Sequence, residues 1–254
     1  MPQPDLKPVL ISPDEKKLAA LARLSAKVSH DFNNILGAIE GYSTLILNTL
    51  KEDDPLRPDL DEIRNAVARA AELTKQLQTF SRKQTLQTMN CDLNAAVGSA
   101  ASALAGALGK SALELELQPD LPALPGDPAR LERLLKALAL NAGDAMPDGG
   151  LIRITTKAVA LQPQEVRSPD PARAGLNFIR LSVKDAGRGM SKEVIEHLFE
   201  PFFTTKEKGK GTGLGLAVVY GTVKQHNGWL TVETAEGRGT EFLIYLPAPL
   251  PTLI

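Results

Sequence analysis

A chain of 254 residues, 43% apolar and 23% charged with a net charge of −1, is long enough for one large domain or two small ones and has an ordinary globular composition. That charge gives no reason to expect nucleic acid or an anionic membrane as partner. No apolar stretch approaches the roughly 18 residues that span a bilayer, so no direct membrane insertion is expected. The polar, proline-bearing start does not read as a signal peptide, and the single cysteine, Cys91, excludes an internal disulfide and suits a reducing, cytoplasmic setting.

Residues 1–13 read as a flexible N-terminus. From 14 to 50 the spacing predicts one long helix, with Leu18, Leu21, Ser25, Val28, Phe32, Ile35, Ile39, Tyr42 and Ile46 recurring every three and four residues. That is the seam of a coiled coil or helical bundle. Pro55 and Pro58 then break the chain in a charged loop. A second helix follows, with Leu60, Ile63, Val67, Ala70, Leu73, Leu77 and Phe80 on one face. One hairpin buries two apolar seams poorly, whereas two hairpins bury them as a four-helix bundle. A homodimer through residues 14–86 is therefore expected.

After Gln87 the pattern changes to an α/β domain over 87–248, closed by a tail at 249–254. Alternating runs at Leu113–Gln118, Leu151–Ala158 and Phe178–Lys184 predict strands. Between them, Asn94–Leu108, Asp127–Met146, Ser191–Phe199 and Leu214–His226 predict helices covering one sheet face, and Trp229–Thr234 and Thr240–Leu246 predict two closing strands. Residues 160–176, rich in Pro, Arg and Asp, read as a surface excursion. There is no internal repeat.

Four places carry chemistry. His30 falls at heptad position f, the most exposed one. A surface histidine ordinarily has no role, but Asp31 beside it can orient an imidazole, and Asn34 lies one turn on. Asn141 continues the apolar stripe of Leu131, Leu134, Leu135 and Leu138; it is either a structural amide near a helix end or an oxygen ligand for Mg²⁺. Asp185 closes a strand ahead of Gly187 and Gly189, as an ordinary turn or as an acceptor for an exocyclic amine beside room for a flat base. Last, Glu200-Pro-Phe-Phe-Thr-Thr-Lys206 and Gly209-Lys-Gly-Thr-Gly-Leu-Gly215 lead into an apolar helix. A glycine turn opening a helix offers backbone N–H groups and a positive dipole end to phosphate.

Together these residues resemble the sensor histidine kinases of two-component signalling. The His box reads His30-Asp-Phe-Asn-Asn34, the N box Asn141-Ala-Gly-Asp-Ala, and the G1 box Asp185-Ala-Gly-Arg-Gly. The F and G2 boxes are Phe199–Lys206 and Gly209–Gly215, and Gly239-Thr-Glu-Phe242 also matches. The resemblance covers roughly residues 15–248. It implies a phosphoacceptor hairpin followed by an ATP-binding α/β sandwich of Bergerat type. It also implies autophosphorylation of His30 from ATP with Mg²⁺ and transfer to an aspartate of a response regulator receiver domain, with phosphatase activity as a further expectation.

By the same resemblance, His30 takes the phosphoryl group, Asp31 is base or orienter, Asn34 places water for dephosphorylation, and Asn141 holds Mg²⁺. The implied nucleotide site comprises Asn141, Asp144, Asp185, Gly187, Gly189, Phe202, Lys206, Lys210, Gly211, Thr212, Gly213, Leu214, Gly215, Leu216 and Thr240, with Phe202 to Lys210 as a lid. A flexible join is expected near Lys83 to Asn90. The His-box form is that of a subgroup often found in hybrid kinases, with no receiver domain expected in these residues. The short N-terminus suggests a separate sensor module or a fragment of a longer protein.

The sequence departs from the family pattern in three places. Ala137 stands where a second Asn is usual, Ala186 where Thr or Asn is common, and Trp229 where a small aliphatic is usual, as a packing choice. Ala137 keeps open a phosphotransfer protein whose ATP domain has weakened. A different ATPase of the same fold leaves the His-Asp pair unused, and a structural coiled coil leaves the glycines unexplained.

Overall fold

The structure is a computed structural model that describes residues 15–81, 89–160, 177–207 and 211–248. The expectations for residues 1–13, for the body of the 160–176 excursion, for most of the Lys83–Asn90 join and for the 249–254 tail lie outside the described residues.

Two helices come first, α1 (Glu15–Thr49) and α2 (Arg57–Ser81). They run antiparallel, since Ser29 Oγ donates to Thr74 O at 3.4 Å, Arg64 Nε lies 3.0 Å from Glu40, and Arg57 reaches back to Leu47. At the hairpin turn Arg57 Nη1 donates to the carbonyls of Leu47, Leu50 and Lys51 at 3.2, 3.0 and 3.3 Å. These acceptors lie at and just past the end of α1, where a cation also suits the helix dipole; the Lys51 carbonyl accepts the Asp54 N–H as well. Pro58 lies inside α2 rather than in the loop, because a first-turn proline removes only an N–H that the helix leaves unpaired.

On α1 the hairpin's own contact differs from the stripe that spacing picks out, whereas on α2 Leu60 and Val67 of the expected face are buried. Among the described residues, Ser29, Ser43 and Leu47 of α1 and Leu60, Val67 and Thr74 of α2 are the buried side chains. Val28, Phe32, Ile35, Ile39, Tyr42 and Ile46 remain between 36% and 70% exposed. Each helix thus has an inner line of small and mid-sized residues and, beside it on α1, a line of large apolar ones facing outward.

The rest is a five-stranded sheet in the order β2-β4-β5-β7-β6, made by β2 (Ala112–Leu117), β4 (Leu151–Ala160), β5 (Asn177–Asp185), β6 (Trp229–Thr234) and β7 (Thr240–Pro247). β2 and β4 are parallel and the other neighbours antiparallel. Helices α3 (Leu93–Leu104), α4 (Pro128–Asp144) and α6 (Gly215–Gln225) supply the other half of the core, and α5 (Lys192–His197) is a short connector. Strand residues alternate, so Ile152, Ile154, Ile179, Leu181, Val183, Phe242 and Ile244 pack against Leu131, Leu134, Leu135 and Leu138 of α4. Asp92, Asp127 and Ser191 cap α3, α4 and α5 by accepting from backbone N–H groups at 3.1, 3.2 and 3.4 Å.

Two details depart from the pattern reading. α3 stops at Leu104, short of Leu108, where Gly106 and Gly109 take φ of +88° and +61°. A two-stranded sheet, β1 (Met89–Cys91) against β3 (Leu124–Gly126), forms at segments too short to show a period. On the sheet's second face Trp229 stacks on Tyr245 at 4.9 Å and meets Phe178 edge-on at 4.6 Å, a packing role as expected.

Candidate nucleotide-binding site

The apolar stripe of α4 faces the core, which turns Arg133, Lys136, Ala137, Leu140, Asn141 and Asp144 toward a cavity of about 1080 Å³. The end of β5 supplies Asp185, the following turn Gly189 and Met190, and the start of β7 Thr240 and Phe242. The far wall is Phe203–Lys206 together with Gly211–Leu216 and Val218.

Asp185 is buried at the β5 end. Its Oδ1 accepts the Gly187 N–H at 2.8 Å, and the Thr240 backbone also donates to it. Burial pushes its pKa above the ordinary carboxylate value, while the two backbone donors pull it down. The glycines beside it are sterically required. At Gly189, φ is +65° and a Cβ would stand 1.9 Å from Ala235 O; at Gly239, φ is +75° and a Cβ would stand 2.1 Å from Asp185 O. Thr234 Oγ1 donates to Gly239 O at 2.9 Å, accepts Met190 N–H at 3.0 Å and lies 3.1 Å from Thr240 Oγ1. One hydroxyl thus fixes both strand ends around Asp185.

Phe202 has φ of +69°, and its N–H donates to Gly213 O at 3.0 Å. Gly213, with φ of +65°, lies so close that a Cβ would be 2.3 Å from the Phe202 carbonyl carbon. Arg188 Nη2 donates to Thr205 Oγ1 at 3.2 Å, and the Lys206 ammonium pairs with the Asp144 carboxylate. α6 starts at Gly215 with no side-chain cap, so its first N–H groups have no side-chain acceptor. A Cβ on Gly215 would lie 3.8 Å from Asn141 Nδ2 and 3.9 Å from Ala137 Cβ, which places the helix start against the α4 stripe.

The structure thus gathers Asn141, Asp144, Asp185, Gly189, Lys206, Gly211, Thr212, Gly213, Leu214, Gly215, Leu216 and Thr240 around one cavity. Gly187 packs behind it on Ala145. Phe202 is 55% exposed, and Phe203 lines the cavity in its place. Lys210 lies outside the described residues. Asp31 and Asn34 are exposed on α1 and do not line the cavity; His30 belongs to the same helix, and its side chain lies outside the described residues. Sequence reasoning passed over Arg133, Lys136 and Leu140, although counting back from Asp144 and Asn141 in steps of three and four finds all three.

These residues fit a purine nucleotide: a buried acceptor for an amine, apolar walls from Leu140, Met190 and Phe242, and an uncapped helix start for phosphate. They fit Mg²⁺ only in company with phosphate. Among the described residues no group of three His, Cys, Asp or Glu side chains could hold a metal, and Asn141 brings one amide oxygen whose side chain has no protein partner. That suits an ion that prefers phosphate and water oxygens around few protein ligands.

The chain is similar to known proteins in both its helical and its α/β parts. The family model of histidine kinase-, DNA gyrase B- and HSP90-like ATPases matches residues 126–250, and that of the His kinase A (phospho-acceptor) domain matches residues 20–86. Sensor kinase CckA of Brucella abortus (strain 2308) is 40% identical over 234 residues, which cover 91% of this chain and 25% of that protein. Sensor histidine kinase ZraS of Klebsiella oxytoca is 31% identical over 92% of this chain and 47% of its own length. The chain therefore spans between a quarter and about half of these relatives. The structure of full-length ShkA in complex with AMPPNP has a TM-score of 0.65 at 22% identity, covering 95% of this chain and 47% of that one. Histidine kinase ThkA in complex with response regulator protein TrrA has a TM-score of 0.57 at 22% identity, over 92% of this chain and 64% of that one. At such identity the structures show a shared fold. No helix among the described residues is long and apolar enough to cross a membrane.

Proposed function

The chain belongs to the sensor histidine kinases of two-component signalling, and on that premise we propose that it phosphorylates His30 from ATP and passes the phosphoryl group to an aspartate of a response regulator. The observation that carries this reading is the pairing of a buried Asp185 carboxylate with the uncapped start of α6 across one cavity, a base acceptor at one end and a phosphate site at the other. The likenesses to a kinase solved with AMPPNP and to one solved with its response regulator support it.

The residues divide the work. Asp185, held by the Gly187 N–H, accepts the adenine amine, and the Gly189 backbone leaves space for the ring. Gly211, Gly213 and Gly215 bring backbone N–H groups to the phosphates. Lys206, held by Asp144 in the structure, is a cation available at the cavity edge. Asn141 holds Mg²⁺, which when bound neutralises phosphate charge. In the transfer, the bond from the γ-phosphorus to its bridging oxygen breaks, a bond to a His30 imidazole nitrogen forms, and Asp31 orients the ring and takes up its proton. Asn34 positions water that attacks the regulator's aspartyl phosphate and releases inorganic phosphate, a hydrolysis separate from the transfer out of ATP. Residues 14–86 form the dimerisation and phosphoacceptor unit and 87–248 the catalytic unit. The outward apolar line on α1 supports a homodimer.

The test is incubation with γ-labelled ATP and Mg²⁺, followed by acid and base treatment of the labelled chain. Base-stable, acid-labile label that disappears in His30→Ala, with ATP binding retained, is the expected result. Label that persists in His30→Ala overturns the phosphoacceptor assignment. Absence of label at saturating ATP favours a phosphotransfer protein, with Ala137 beside Asn141 as the cause to test first.

A further inference from the structure

The sheet face turned away from α3, α4 and α6 takes no part in the nucleotide cavity. Its register sets cations against cations. Arg153 stands directly across from Lys184, and Lys157 directly across from Arg180, with Thr155 and Ser182 paired between them. Like charges directly opposite one another destabilise a sheet, because their Cβ atoms are only about 4.5–5.5 Å apart.

The two pairs are treated differently. Arg153 Nε lies 2.9 Å from Glu114 and 3.1 Å from Glu116, and Lys184 Nζ lies 3.2 Å from Glu241. Neither Lys157 nor Arg180 has an ion-pair or hydrogen-bond partner among the described residues, and Arg180 Nε is shielded from solvent with no acceptor. Both line a groove of about 500 Å³ that also holds Thr155 and Gln118. Gln118 Oε1 already accepts the Ala158 N–H at 3.0 Å, which leaves its amide nitrogen as a further donor. A desolvated guanidinium N–H without an acceptor is uncommon, and two uncompensated cations held face to face by strand register call for an anion.

We propose that Lys157 and Arg180 form an anion site on this outer face, and that it takes a compact phosphate-type oxyanion, free or as a phosphomonoester. Two cations match a dianion, and the planar guanidinium fork suits its oxygens. Glu116 and Glu241 line the same groove, paired with Arg153 and Lys184; these carboxylates leave only the Lys157–Arg180 end uncompensated, so a small ligand fits this face better than an extended polyanion or an anionic membrane.

Titration of the ¹⁵N-labelled chain with sodium phosphate, against sodium chloride at matched ionic strength, tests the site. Saturable amide shifts are expected at Thr155–Ala158 and Phe178–Ser182, with affinity at least ten-fold weaker in Lys157→Thr and in Arg180→Gln. Phosphate bound at Gly211–Gly215 would shift other amides and would not respond to these substitutions. Thermal melting is the second readout. Phosphate should raise the melting temperature of the parent chain but not of the variants, and in chloride the variants should melt no lower than the parent. O-phosphoserine as a parallel titrant assigns phosphomonoesters if it saturates the site, and restricts the site to free phosphate if it does not. Non-saturating shifts, or saturable shifts unchanged in both variants, overturn the proposal, as does a lower melting temperature of both variants in chloride.

Discussion

Asp185 serves binding at a cost to the fold. Burial raises its pKa, so the folded chain holds that proton more tightly than the unfolded one. Asp185 therefore stabilises the fold at low pH, and the contribution is lost as pH climbs from the unfolded value through the raised folded value. Ionisation, in turn, makes the carboxylate the stronger acceptor for an amine. Two measurements should then move in opposite directions. Asp185→Asn should keep the Gly187 hydrogen bond through its amide oxygen and melt no lower than the parent at neutral pH. It should lose roughly ten- to a hundred-fold in affinity for adenosine, since a charged hydrogen bond contributes about 1.5–3 kcal/mol. In the parent, adenosine affinity should rise with pH along a limb lying above the ordinary carboxylate range, a limb absent from Asp185→Asn. Equal affinities across pH would remove Asp185 from the site. The glycines allow a matched comparison. Gly189→Ala meets Ala235 O at 1.9 Å, whereas Gly237, also left-handed at +72°, has nothing within 4 Å of a Cβ. Chemical denaturation should show Gly237→Ala costing about 1 kcal/mol, the left-handed penalty alone, and Gly189→Ala several times that. These glycines stand out in sequence because they recur around Asp185. The contacts that require them come from Ala235 and Gly239, some fifty residues downstream, and no local pattern shows that.

At the scale of elements, the start of α4 depends on the end of α6. His226 is buried, its Nδ1 lies 2.8 Å from Thr222 O, and its Nε2 accepts the Asp127 N–H at 3.1 Å. A carbonyl at Nδ1 requires a proton there, so Nε2 is the lone-pair nitrogen and the ring is neutral. Burial lowers its pKa; the Thr222 carbonyl and Asp127 oppose the shift, and Arg130 adds to it. The unfolded chain therefore binds a proton that the folded chain refuses, so stability falls as pH drops below the ordinary histidine range. Melting temperature should decline from about pH 7.5 to about pH 5.5, and more steeply in the parent than in His226→Gln, whose amide can accept from Asp127 without titrating. Parallel pH profiles would show that another group sets the decline. The elements involved were unevenly legible. α4 carries a capping Asp127, a first-turn Pro128 and four leucines on one face, and pattern located it within two residues. β1 and β3 are three residues each, below the length at which alternation means anything, and what anchors them is the burial of Cys91 and Leu124 in the common core.

On the scale of the whole molecule, α1 has two adjacent lines of residues, and only three-dimensional packing decides which one the hairpin uses. Spacing cannot separate them, because both recur every seven residues: Ser29 with Ser43 on the inner line, Phe32 with Ile39 and Ile46 on the outer. The inner line is small enough for α2 to approach closely, while the outer one leaves Tyr42 70% and Leu45 63% exposed. Fully burying a side chain of that kind contributes about 1.5–3 kcal/mol, and a pair of hairpins would bury several such residues twice over. Charge placed on each line should therefore have separate consequences. Ile46→Glu should leave helicity and adenosine binding unchanged while converting a dimer to a monomer in sedimentation velocity. Val67→Glu, on the inner line at 9% exposure, should unfold the hairpin itself and lower helical circular dichroism. If Ile46→Glu still sediments as a dimer, the outer line is not the dimer seam. If the parent chain is already monomeric at micromolar concentration, the 14–86 unit does not dimerise through this hairpin alone.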